Sequence, residues 1–467
     1  MTIPEGQHHS SFDESTDYRR DLRLTEAVSI VVGRIIGSGI FATPGLIMLQ
    51  VQCTSLFGLA WVLGGLMTVF SAACYAELVA MMPKSGGPYV YLKEAYGPLW
   101  AFLRGWAMFF VSETASIVAV ALVFAVYLNA IVKIVTGTPF PKGFEIGVAF
   151  VAIWILTGIN FFGVFVSGVF QNFFSSIKVV AVIAIIVIGF GAEGNSTNFV
   201  TPLFPDEFSW EFILKMAAAM RLVFFAFSGW EGATYVAEEV KNPRRNLPLS
   251  LFLGIGGIMV LYAGANGAYL YLLPPEVMAK SEWVATDAMK LALGSAGGIL
   301  ISAAIMMNTF GNVSTQILVK ARSWQAMARD GLFFKKFAVI HPKYRTPNNA
   351  LFAQAVWATV LLGFSSTAQS SYKALIDFFF ATGTIFNIMT LASVFVLRKK
   401  YPDLERPYRA WLYPYSMIIV ILLYVVMLVL SLIAVPLESL AGLALTSSGL
   451  IYYYYLHRNR KKENPDG

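Results

Sequence analysis

Four ionisable residues stand inside long apolar runs: Arg34, Glu113, Lys178 and Glu231. An ionised side chain at the centre of a bilayer costs roughly 2.5–3.5 kcal/mol on insertion scales, so such residues are normally paired or used. Lys178 follows Gln171-Asn172-Phe173-Phe174 by about two helical turns, which sets it near the middle of its run. Its ammonium either bridges backbone groups of the first and eighth spans or snorkels to the inner interface. Glu113 interrupts an aromatic and small-residue stretch, and either carries a proton or pairs statically with Lys178 or Arg34. An Arg34–Glu231 pair leaves a neutral pocket. A free Glu231 binds a basic side chain or titrates.

Arg34 and Glu231 each belong to a stretch where a helix is expected to break. The first reads Gly33-Arg34-Ile35-Ile36-Gly37-Ser38-Gly39-Ile40-Phe41, with Pro44 following; the other reads Phe225-Ala226-Phe227-Ser228-Gly229-Trp230-Glu231-Gly232. Glycine costs about 1 kcal/mol in a helix, so three within seven residues around a serine favour unwinding. In lipid, unwound backbone is tolerated only where it lines a cavity. The N-terminus of a resumed half-helix offers bare amides and the positive end of a dipole. The amides of Ser38, Gly39 and Ile40 therefore suit a carboxylate, and carbonyls near Ile35, Phe225 and Ser228 suit an amine. An α-amino acid carries both groups.

The elements that must position these residues are membrane helices. The chain is 57% apolar and 13% charged, with a mean hydropathy of +0.65, against about 25% charged residues in soluble domains. Apolar runs long enough to cross hydrocarbon fall at roughly 24–50, 55–82, 99–131, 144–162, 166–190, 212–237, 248–273, 291–319, 349–364, 372–397, 412–434 and 437–456. With both termini cytoplasmic, 25 lysines and arginines lie in inner segments and five in outer ones, as the positive-inside rule requires. The net charge of +7 is thus an orientation signal. The expected organisation is a cytoplasmic tail over 1–20, one transmembrane domain over 21–456 and a cytoplasmic tail over 457–467. The first 18 residues hold no apolar core, so no cleavable signal is expected. The two breaks lie five spans apart, which fits inverted repeats of spans 1–5 and 6–10 with two added.

Other chemistry is sparse. His8, His9, His341 and His457 lie in tails or a basic loop, and Cys53 and Cys74 have no metal-ligand spacing. No span pairs a nucleophile with a base, so neither an enzyme nor a cofactor or metal site is expected. Asn308, Asn312 and Ser314 either line the site or bond between helices. Tyr452 to Tyr455 read as an interfacial belt.

At these motifs the chain resembles the amino acid–polyamine–organocation (APC) superfamily, in particular its L-type amino acid transporter branch. The first break resembles that family's G-x-I-I-G-S-G-I-F signature. Pro83-Lys84-Ser85-Gly86-Gly87-Pro88-Tyr89, Glu238-Glu239-Val240-Lys241-Asn242-Pro243 and Ala326-Met327-Ala328-Arg329-Asp330-Gly331 resemble its loop motifs in order. The resemblance implies an all-α LeuT-type 5+5 inverted repeat with spans 1 and 6 discontinuous, and sodium-independent secondary transport of amino acids by exchange or proton symport. By position, Ile35, Ser38 and Gly39 match carboxylate and amine contacts, Phe225 matches an aromatic gate, and Trp230 and Glu231 match side-chain-pocket positions. Lys178 matches the basic residue that stands where relatives bind sodium. Proton-coupled cationic-amino-acid relatives have an acid near Glu113. The chain departs from the branch at Arg34, usually small or neutral polar, and at Glu231, often Asn. It is also similar to fungal methionine permeases around Gly33–Gly37. Branch members from animals attach a heavy chain through a cysteine between spans three and four; residues 132–145 contain none, so no disulfide-linked partner is expected. The alternative function is an amino-acid sensor of the same fold, which the short tails disfavour. A plasma-membrane location is expected.

Overall fold

The computed structural model describes residues 11–12, 20–141, 143–162, 164–203, 209–329, 331–344, 346–367 and 371–463. Most of the expected N-terminal tail, Lys142, Asp330, Arg345 and the end of the C-terminal tail lie outside the described residues, as does the side chain of His457. Every named element is helical. The first passage is α1 (Leu24–Ile35) and α2 (Gly39–Val51), bent by 41°. There follow α3 (Thr54–Met81), a short α4 (Pro88–Tyr96), and α5 (Pro98–Ala107), which passes through a π-helical turn at Met108–Ser112 into α6 (Glu113–Thr136). Next come α7 (Phe144–Phe161), α8 (Val164–Gly191), and α9 (Trp210–Phe227) with a 3-10 continuation over Trp230–Glu239. The chain goes on through α10 (Pro243–Leu272), a short α11 (Pro275–Lys280), α12 (Val284–Arg329), α13 (Asn348–Ser365), α14 (Ser371–Lys400), α15 (Tyr415–Ala434) and α16 (Pro436–Glu463).

Local chemistry sets several of these ends. Proline occupies the first turn of α4, α5, α10 and α11, where its missing N–H costs nothing. Gly137, left-handed at φ 79°, ends α6. Among the described residues, eight helices are long and apolar enough to cross a bilayer, and the bent α1–α2 pair makes a ninth. The twelve expected runs fall in order on α1–α2, α3, α5–α6, α7, α8, α9 with its continuation, α10, α12, α13, α14, α15 and α16. Large apolar side chains such as Val187, Val260, Leu300 and Phe364 project outward, as lipid-facing surfaces do. Polar residues are drawn inward instead.

Two of the 25 cations that the sequence count places in inner segments, Arg104 and Lys320, lie buried within helices instead. Arg104 lies within α5 and is 9% exposed, and Lys320 lies within α12 and is 1% exposed. α12 runs on to Arg329 past the expected end at 319, because Val319, Ala321 and Trp324 continue the apolar face. Removing both from the inner loops leaves the charge bias intact. The loop that follows folds back as an aromatic cluster, with Phe333 fully buried against Phe109 and Trp106.

Candidate functional site

The first break occupies Ile36 to Ser38. In an unbroken helix the Gly37 amide would bond to the Gly33 carbonyl. Here it turns to Ile35 O at 2.7 Å, and the Gly33 carbonyl is left without its helical donor. Lys178 supplies one, with Nζ 2.9 Å from Gly33 O. Its side chain is 4% exposed, so it does not snorkel; its described hydrogen bond is to the first span alone. The Ile35 carbonyl also accepts from the Tyr262 hydroxyl at 3.0 Å, and Asn308 Nδ2 approaches Gly37 O at 3.5 Å. Beyond the break, Gly39 and Ile40 open α2, so their amides have no intrahelical acceptor.

The second break falls at Ser228 and Gly229, the latter at φ +95°. Its repair is mainly local. Ser228 donates to Phe225 O through both its amide (3.1 Å) and its Oγ (2.7 Å). Gly232 N reaches Gly229 O at 3.0 Å, and Thr234 Oγ1 reaches Glu231 O at 2.7 Å. The chain resumes as a 3-10 segment, with Val236 off helical geometry, not as the α-helical half expected by analogy with the first break.

The two breaks touch. A Cβ on Gly39 would stand 2.7 Å from Ala226 Cβ, and one on Gly229 would stand 3.0 Å from the Arg34 carbonyl. Tyr262 ties them further, since its hydroxyl also bonds Ala226 O at 3.2 Å. Below the breaks, Leu22 pairs with the end of the 3-10 segment through Leu22 N to Glu239 O (3.0 Å) and Lys241 N to Leu22 O (2.8 Å).

A cavity of about 790 Å³ opens between the broken passages. Ile35, Ser38, Gly39, Phe225, Ser228, Trp230 and Glu231 all line it, as do Arg34, Glu113 and Lys178. Ile40 does not; its side chain is fully buried behind the break, leaving only its amide for the expected role. The carbonyls of Ile35 and Phe225 each already receive two donors, which fills a carbonyl's two lone pairs. Ser38 Oγ and Tyr372 Oη are buried with no hydrogen bond of ordinary length among the described residues. Trp230 packs edge-on to Tyr75 at 4.6 Å. Phe225 stands at one end, 5.6 Å from Tyr372 and 5.8 Å from Phe379. The other end reaches exposed Glu26 and Ser29.

The charged groups pair differently from expectation. Glu113 meets neither Lys178 nor Arg34 but Lys320, whose Nζ is 2.5 Å from Glu113 Oε2. The π-helical turn just before Glu113 resets its register toward α12. Arg34 and Glu231 form no ion pair among the described residues; Arg34 lies over the Tyr235 ring at 5.8 Å. Asn312 lines the cavity, whereas Ser314 accepts a bond from Asn160 of α7 at 3.2 Å. Beyond Phe225, buried Asp377 of α14 takes Arg221 Nε of α9 and Lys373 Nζ, both at 2.7 Å. The sequence reading gave no site role to Tyr262 or this cluster, and it counted Lys320 and Arg104 as inner-segment cations.

The amino acid permease family model matches residues 22–456. The chain is similar to the b(0,+)-type amino acid transporter 1 of Mus musculus, at 30% identity over 457 residues that cover 96% of this chain and 90% of that protein. It is also similar to the large neutral amino acids transporter small subunit 2 of Homo sapiens, at 32% identity over 441 residues, 93% of this chain and 80% of that protein.

Proposed function

Because this chain belongs to the amino acid permease family, whose matched members are transporters and not enzymes, we propose that it carries amino acids across the plasma membrane by alternating access. The observation that carries this reading is the contact of two unwound segments, at Gly39 with Ala226 and at Gly229 with Arg34, beside one cavity. The amides of Ser38, Gly39 and Ile40 take the substrate carboxylate at the head of α2. The amine is held from the facing break around Ser228, or by displacing one of the two donors on Ile35 O or Phe225 O. Trp230 and Glu231 border the side chain, and Phe225 with Tyr372 seals the far end.

Lys178 stands where a monovalent cation would otherwise satisfy the freed Gly33 carbonyl, which supports sodium-independent transport. Coupling then runs by exchange or by protons, with Glu113 held by Lys320. Twelve crossings put both tails in the cytoplasm around one domain over 21–456. In that orientation the cavity faces inward, toward Glu26 and Ser29. The printed name of one relative speaks of a small subunit. In this chain Cys53 and Cys74 are both buried and residues 132–145 carry no cysteine, which supports a transporter without a disulfide-linked heavy chain. A non-reducing gel of the purified protein then shows one band that reductant leaves unmoved.

The test is uptake of labelled amino acids into proteoliposomes, with and without internal amino acid, sodium and an imposed pH gradient. Sodium-independent uptake driven by internal amino acid or by the proton gradient is expected. Binding without uptake under every condition would make the chain a sensor.

A further inference from the structure

Two guanidinium groups on the cavity wall, Arg104 and Arg34, form no ion pair among the described residues. Arg104 of α5 is nine-tenths buried, its Nε has no hydrogen-bond acceptor, and among the described residues it forms no ion pair. It lies over the Phe386 ring at 5.7 Å, within electrostatic reach of Glu113 and Glu231 but bonded to neither among the described residues. Arg34, on the wall formed by α1, likewise has no ion pair or side-chain hydrogen bond among the described residues and rests on Tyr235. A cation–π contact is worth about 0.5–2 kcal/mol, whereas the effective penalty for burying an ion is several kcal/mol. The Phe386 contact does not offset the burial of Arg104.

The balance of charge around the cavity interior has one sign. Arg34, Arg104 and Lys178 line the interior with two carboxylates, Glu113 and Glu231, and Lys320 stands behind Glu113. Lys320 is paired with Glu113, and Glu113 and Glu231 both act on Arg104, so two carboxylates are shared among four cations. At the mouth, Glu26 is occupied with the Arg23 amide at the start of α1, and Glu239 and Arg322 are of opposite sign. While the cavity is open, water can solvate the excess cations. Alternating access requires it to close, and closing it around a neutral zwitterion seals net positive charge into a medium of low dielectric. A substrate with one more carboxylate removes that cost. A basic side chain adds to it.

We propose that the preferred substrate is an amino acid with an anionic side chain, its second carboxylate held between the Arg104 and Arg34 guanidiniums. The inference rests on the transport reading above and adds the substrate class to it. The planar fork of a guanidinium matches a carboxylate in two parallel hydrogen bonds. Occupation of that fork lets the site close without stranded charge.

The experiment measures initial uptake of labelled L-glutamate, L-aspartate, L-leucine and L-arginine into proteoliposomes, for wild type and for Arg104→Gln and Arg34→Gln. Wild type is expected to favour glutamate or aspartate over leucine and arginine by at least about tenfold in kcat/KM. A charge-assisted hydrogen bond is worth about 1.5–3 kcal/mol, so each variant should raise the KM for the acidic substrate by about 10–100-fold and lower the acidic-to-leucine ratio. Arg104→Lys should recover part of that ratio. Size-exclusion profiles identify a variant that fails to fold, in which case the other arginine carries the test. Leucine or arginine uptake that excess glutamate does not inhibit overturns the proposal. So does an equal loss of glutamate and leucine uptake in a folded variant. No uptake or binding of any of the four overturns the transport reading itself.

Discussion

The two breaks solve one problem with different balances of local and distant donors. Each frees carbonyls in the middle of a membrane passage, where an unsatisfied polar group costs several kcal/mol. The second break repairs itself mainly with residues a turn away, Ser228 onto Phe225 O, Gly232 onto Gly229 O and Thr234 onto Glu231 O, and takes a distant donor at Ala226 O, from Tyr262 of α10. The first borrows donors from distant elements: Lys178 of α8 onto Gly33 O, Tyr262 of α10 onto Ile35 O, Asn308 of α12 onto Gly37 O. A locally repaired break keeps its shape when neighbouring helices shift. A borrowed repair is lost when they move apart. The first break is therefore the one that can report helix movement to the substrate, and α8, α10 and α12 are the elements that can move it.

This contrast can be broken most forcefully at Lys178. Lys178→Ala removes the donor to Gly33 O, and a hydrogen bond from a charged group is worth about 1.5–3 kcal/mol. Uptake should fall by about 10–100-fold or more, while the protein still reaches the membrane. Wild-type uptake would show that the first break does not depend on borrowed donors. Gly229→Ala comes next. A left-handed residue with a Cβ costs about 1–2 kcal/mol, and this Cβ would also press the Arg34 carbonyl at 3.0 Å. A lower thermal midpoint and about tenfold weaker substrate binding are expected.

Tyr262→Phe sharpens the comparison, because it deletes a hydroxyl that serves both breaks. Neutral hydrogen bonds contribute about 0.5–1.5 kcal/mol, so uptake should drop by about 3–10-fold with expression unchanged. Ser228→Ala should do least. The Ser228 amide still holds Phe225 O at 3.1 Å, and a change in substrate KM within about threefold is expected. A Ser228 effect larger than that of Tyr262 would reverse the assignment of local and borrowed repair.

Glycine and serine clusters made both breaks legible in the sequence, because few other compositions interrupt a membrane helix at mid-depth. Lys178 was legible for a related reason: a lone cation in an apolar run must reach something polar. Other features were not. The π-helical turn at Met108–Ser112 has no signature among Met, Phe, Val and Ser, and it turns Glu113 toward Lys320. Lys320 and Arg104 read as loop charges because the positive-inside rule counts cations near span ends, and a helix that continues past its apolar window escapes it. Tyr262 is one of many tyrosines, and nothing in its neighbours announces that it bridges two distant backbones. The 3-10 form of the second passage depends on the hydrogen bonds that Ser228 and Gly229 make, which periodicity does not encode.

The most direct test is an experimental structure of the protein held with a saturating transported amino acid. The account predicts helices interrupted at 36–38 and 228–229, with the substrate carboxylate within hydrogen-bond distance of the Gly39 or Ile40 amide. A ligand bound away from both interruptions, or a first passage that runs unbroken through Gly37, would contradict it.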